Sequence, residues 1–156
     1  LEKSVKLAEA LLLRADVQKK VASLRDRIAK NAIIQKGDKL HEDPEKLIEE
    51  AFLTLQELET LVVRINQANL KYALPDGRTL TQAIAHRDTL VGRHSILQHA
   101  ITHAQTGPNR YSVAEIKWVA TLNVAGLQKQ LEDVAKKVRE LNTAIQQANW
   151  IIDLDE

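Results

Sequence analysis

Apolar residues that recur at alternating three- and four-residue steps over several turns leave a chain few folds to choose from. Ile48, Ala51, Leu55, Leu58, Val62 and Ile65 keep this spacing without a break, as do Leu127, Leu131, Val134, Val138, Leu141, Ile145 and Ala148. Such a rhythm puts every one of these side chains on one stripe of an α-helix. The stripe is buried by packing on other helices at the shallow crossing angle of a bundle. A third segment carries it through Leu7, Ala10, Val17, Val21, Leu24 and Ile28, with Arg14 interrupting the seam. The remaining segment, near 80–104, is less regular. There Ile84, Leu90, Val91, Leu97 and Ile101 share the helix with Arg87 and His94 at seam-compatible positions, which points to a partly wet or intersubunit face.

Composition agrees with a helical reading. Only 3% of the 156 residues are aromatic, with five glycines and three prolines, too few strand formers and turn residues for an all-β protein. Hydrophobic residues at 44% and charged residues at 28% describe a globular chain, long enough for a real core. A net charge of +1 argues against a broadly basic nucleic-acid binder. The absence of cysteine removes disulfides, thiolate metal sites and a Cys nucleophile. No secretory apolar run is visible, nor the ~20 apolar residues of a membrane span, so the expected location is cytoplasmic.

Helix boundaries carry chemical signals. Asp43 before Pro44 reads as a cap followed by a first-turn proline. Pro75-Asp76-Gly77 is a turn, and Thr79 with Gln82 forms a capping box. Asn123 precedes the last repeat as an N-cap. These signals predict helices at about 4–30, 45–71, 79–104 and 124–149. Two further stretches read as extended, 32–35 and 116–122. The second competes with a helical turn that Ser112 and Glu115 would cap. The expected fold is mainly α: one domain over 1–156, an antiparallel four-helix bundle with long helices and a small two-stranded β-ribbon made by the extended stretches.

Residues that could carry chemistry are sparse. His99 and His103 lie four apart on one helix face and are candidates for sharing a metal ion. His86 and His94 project away from that pair, and neither Glu-x-x-His nor His-Glu-x-x-His occurs. The acidic run Glu42, Asp43, Glu45, Glu49 and Glu50 opens a helix, where negative charge is favoured electrostatically in any case. Its expected partner helix offers only Asp88 in its central portion, too little for a two-metal carboxylate cage. No phosphate-binding or dinucleotide-binding glycine pattern exists. Tyr111, Trp118 and Trp150 stand outside the apolar stripes and read as interface anchors, together with Arg87 and His94 on the polar seam. Residues 1–30 carry eight Lys/Arg against four Asp/Glu, whereas 31–72 carry five against eight.

Several runs in one order also suggest a relationship. Lys6 to Leu11, Arg64-Ile65-Asn66, Asp76 to Thr81, Arg110-Tyr111-Ser112 leading into Glu115-Ile116-Lys117, and Gln146 to Trp150 together resemble a family of small bacterial helical proteins known as septicolysin. That resemblance spans nearly the whole chain. It implies a helical homo-oligomer and, through the family name, a cytolysin; it assigns no catalytic or ligand residues. The reading from the residues is a cytoplasmic, non-enzymatic, dimer-based homo-oligomer with a binding or scaffolding role and no cofactor or nucleic-acid partner. The alternatives are a membrane-active protein, with the cationic first helix as the lipid-facing element, and a metal-dependent hydrolase using His99 and His103.

Overall fold

The computed structural model describes residues 4–106 and 117–154. Its framework is four α-helices: α1 (Leu7–Asn31), α2 (Pro44–Lys71), α3 (Leu80–Thr106) and α4 (Val124–Ile151). Local chemistry starts them where the sequence says it should. Asp43 accepts a hydrogen bond from the Glu45 N–H at 3.0 Å, with Pro44 in the first turn of α2. Gln82 N–H donates to Thr79 Oγ1 at 3.1 Å while Thr79 N–H donates to Gln82 Oε1 at 3.0 Å, a complete capping box for α3. Gly126 N–H donates to Asn123 Oδ1 at 3.0 Å at the head of α4. Ahead of α3, Gly77 takes φ +87°, the left-handed conformation that the Pro75-Asp76-Gly77 turn needs.

The chain divides into two compact units, residues 1–73 with 147–156 and residues 74–146. In the first, α1 packs against α2. Arg27 pairs with Glu42 and Lys20 with Glu50, so the partner's number rises as that on α1 falls: the two helices are antiparallel. Leu24, Leu47 and Ala51 form a buried cluster with Ile28 against it. Asn31 closes the hairpin, its Nδ2 donating to the Arg27 carbonyl at 2.9 Å while its Oδ1 accepts from Glu42 N–H at 3.2 Å.

The covered stripe of α1 follows the expected spacing, from Leu7 and Ala10 to Leu24 and Ile28. On α2 the covered stripe shares Ala51 and Ile65 with the expected one and elsewhere takes the preceding residue, Leu47, Thr54 and Leu61, in place of Ile48, Leu55 and Val62. Leu47, Ala51, Thr54, Leu61, Ile65 and Ala68 are buried, whereas Ile48 and Leu55 are exposed. Because α2 is apolar over a wide sector, two stripes one residue apart fit equally well. The ion pair of Glu50 with Lys20 marks the edge that faces α1. Thr54 tolerates burial there because its hydroxyl donates to the Glu50 carbonyl at 2.8 Å.

A strap joins the two ends of the first unit. Leu7 N–H donates to the Ile152 carbonyl at 2.9 Å and Leu154 N–H to the Val5 carbonyl at 2.8 Å, around an antiparallel bridge between Lys6 and Asp153. Ile152 and Leu154 alternate with Asp153 and are buried. In the second unit, Leu80, Ala83, Leu90 and Ile101 form the buried stripe of α3.

The expected β-ribbon does not form. Residues 32–35 and 117–122 contain no strand, and residue 116 lies outside the described residues. Two lone strands need an apolar surface beneath them. Here Ile33 is 85% exposed, Trp118 78% and Val119 81%, so neither stretch has one. The competing turn at 112–115 lies outside the described residues.

Candidate association surface

The most conspicuous chemical feature is how much apolar surface stays in contact with solvent. The chain exposes 12269 Å². Among the described residues, exposed large hydrophobic side chains occur on every helix, with a group on α2 and another in the segment before α4.

On α2, Ile48, Phe52, Leu55, Val63 and Leu70 are exposed, Phe52 at 65% and Leu70 at 64%. With 3.6 residues per turn, these five fall in one sector about 80° wide, beginning just beyond the stripe that faces α1, while Leu53, also exposed, lies outside it. On α4, Leu127, Leu131, Val134, Val138 and Leu141 have the expected seam spacing but are only half-buried, and full burial arrives at Ile145.

The five interface candidates sit in different surroundings. Arg87 and His94 occupy half-buried positions in register with Leu80, Ala83, Leu90, Leu97 and Ile101 along α3. The Arg87 guanidinium lies 3.2 Å from Asp88 Oδ1. Trp118 is exposed in the segment leading to α4, and Trp150 is exposed in the last turn of α4 beside exposed Ile151. Tyr111 lies outside the described residues. His99 and His103 do come together, with ring centroids 4.2 Å apart and His103 Nδ1 3.0 Å from the His99 carbonyl. Among the described residues no group of three or more His, Cys, Asp or Glu is arranged to hold a metal ion.

Among the described residues, two ion pairs shift the ionisation of their carboxylates. Arg27 holds Glu42 through both guanidinium nitrogens. Hydrogen bonding to Arg27 keeps the Glu42 carboxyl below the usual carboxylate range, although partial burial opposes it. In the strap, Lys6 Nζ lies 2.8 Å from Asp153 Oδ1, and Ser4 Oγ donates to the same oxygen at 2.9 Å. Lys6 first and Ser4 second hold the Asp153 carboxyl low. The sequence reading missed this strap. Its signal was the alternation Ile152-Asp153-Leu154 directly after a helix. Among the described residues, no helix is long and apolar enough to cross a membrane.

Fold and surface together define a mainly α, four-helix protein with exposed apolar side chains. The chain belongs to a family of unknown function, DUF6847, whose model matches residues 14–154. It is similar to a functionally unknown conserved protein from Corynebacterium diphtheriae of known crystal structure. The identity is 31%, the likeness covers 98% of this chain and 100% of that one, and the TM-score is 0.90. No curated protein matches the chain.

Proposed function

We propose that the protein is a non-catalytic, cytoplasmic self-associating scaffold, a closed homo-oligomer of helical subunits. The observation that carries this reading is the set of large apolar side chains left exposed at helical spacing on α2, Ile48, Phe52, Leu55, Val63 and Leu70. A standard specific interface takes about 800 Å² from each partner. Clustered exposed apolar side chains mark interaction sites, because leaving them in water forgoes about 25 cal/mol per Å² of apolar area. Bundling belongs to the same reading. Each helix carries a three-four stripe, and antiparallel four-helix packing is a common way to cover such stripes, within a chain or between copies.

Light scattering on a sizing column tests the proposal. The expected result is one species at a fixed multiple of 17.5 kDa. A monomer across the micromolar range would refute it.

A second reading, membrane activity, draws on exposed Leu12 and Leu13 of α1, within a segment rich in Lys and Arg. It accords with the septicolysin resemblance, and leakage from anionic liposomes decides it.

A further inference from the structure

We infer that His99 and His103 together chelate one divalent transition-metal ion, of the zinc or nickel kind, on the outer face of α3. The inference is independent of the self-association reading and holds whether or not the chain assembles.

The spacing puts the pair where an ion can reach it. Four residues of α-helix turn the chain by about 400°, so the two side chains leave α3 about 40° apart, one turn above the other. His99 lies about 180° around the helix from buried Leu90 and about 160° from buried Ile101, on the face away from the covered stripe. Both histidines are exposed. Sharing a face does not by itself bring two rings together. These two do meet, with centroids 4.2 Å apart and planes tilted by 43°. Two nitrogens at about 2.05 Å from one zinc ion, at the tetrahedral angle, stand about 3.3 Å from each other. Rings already this close need only small rotations about their Cβ–Cγ bonds to present both nitrogens to one ion.

One ring is also set in a ligating tautomer. His103 Nδ1 lies 3.0 Å from the His99 carbonyl oxygen. A carbonyl can only accept, so Nδ1 carries the hydrogen, and in the neutral imidazole the lone pair is then on Nε2. A backbone carbonyl holding the other N–H is the arrangement that orients metal-bound histidines.

The donor set selects the ion. Imidazole nitrogen suits zinc, nickel and copper, whereas magnesium and calcium require oxygen. Asp88 is the one acidic residue of α3, about three turns before His99, so the pair offers nitrogens alone. His86 and His94 stand about 140° around the helix from His99 and take no part. Two ligands leave the remaining positions open to water or to an incoming donor, which makes this an exchangeable site in contrast to a closed structural one.

Full-length protein without a histidine tag, titrated with zinc alone by calorimetry, tests the site. The expected result is one ion per chain at micromolar affinity. His99→Ala and His103→Ala should each weaken binding by at least about tenfold, while His86→Ala leaves it unchanged. Helicity by circular dichroism should be the same in all three variants, because His99 and His103 are exposed and His86 is only half-buried. In nitrogen-detected magnetic resonance of the imidazole rings, zinc should move the signals of His99 and His103 and leave those of His41, His86 and His94 in place. No binding at millimolar zinc would overturn the inference. So would an affinity that survives both alanine substitutions, or ring shifts confined to the other three histidines.

Discussion

Leu24→Ala tests the packing of α1 on α2 most directly. Leu24 is fully buried and touches the small cluster of Leu47, Ala51 and Ile28. Truncation removes three carbons, worth about 2.4 kcal/mol at 0.8 kcal/mol per buried methylene. A cavity term adds to this, and measured Leu→Ala costs run from about 2.7 to 5 kcal/mol. The value here should fall near the lower end. The cluster is one helix pair thick, so its neighbours can close in, although the Arg27–Glu42 and Lys20–Glu50 pairs on either side limit how far the helices shift. The expected loss is about 3 kcal/mol, a fall in Tm of about 6–12 °C for a chain of this size. Urea and thermal unfolding followed by circular dichroism, at one fixed protein concentration, measure it, since association adds its own stability. Leu12→Ala, at an exposed position on the same helix, serves as the reference and should stay within about 0.5 kcal/mol. A Leu24→Ala loss no larger than that of Leu12→Ala would refute the α1–α2 core.

Asp43→Ala should lower stability by about 1 kcal/mol in the same unfolding assay, by removing the cap on Glu45 N–H. Acid should weaken the fold through Glu42 and Asp153. Both carboxyls are held below their ordinary values, so their contribution is present above about pH 4 and is lost as the pH falls through the depressed folded values. Urea midpoints at pH 7 and pH 3 measure the loss, and it should shrink in Glu42→Gln. Dye-loaded anionic liposomes should stay sealed at micromolar protein; dose-dependent leakage would favour the membrane reading over the scaffold.

Helix positions were legible because each start has its own chemistry. Asp43-Pro44, Thr79 with Gln82, and Asn123 placed three helix starts within a residue, and the stripe of α1 was readable from its spacing. The choice between stripes on α2 was not. Periodicity reports that a face is apolar; it does not report which neighbour covers it, and a wholly apolar run outranked a stripe containing Thr54. The strap between Lys6 and Asp153 was also hidden, because its partners are separated by nearly the whole chain and only folding brings them together. The extended stretches show the opposite failure. Ile33-Ile34 and Trp118-Val119 have strand-like composition, but a ribbon needs a surface beneath it, and composition does not supply one.

The unpaired stretches, the half-buried seam of α4 and the second stripe of α2 share one physical cause. A helix buries one sector by pairing with one neighbour, whereas these sequences carry apolar residues over wider sectors than one pairing covers. For a monomer that width is a liability, since each exposed Phe52 or Leu70 invites indiscriminate contact. Selection for solubility alone would place polar residues there. Apolar residues at helical spacing on an exposed face are what the proposed self-association would cover. If the subunits self-associate as proposed, stability and association are linked: the melting temperature should rise with protein concentration, and a concentration-independent melting temperature would count against the proposal.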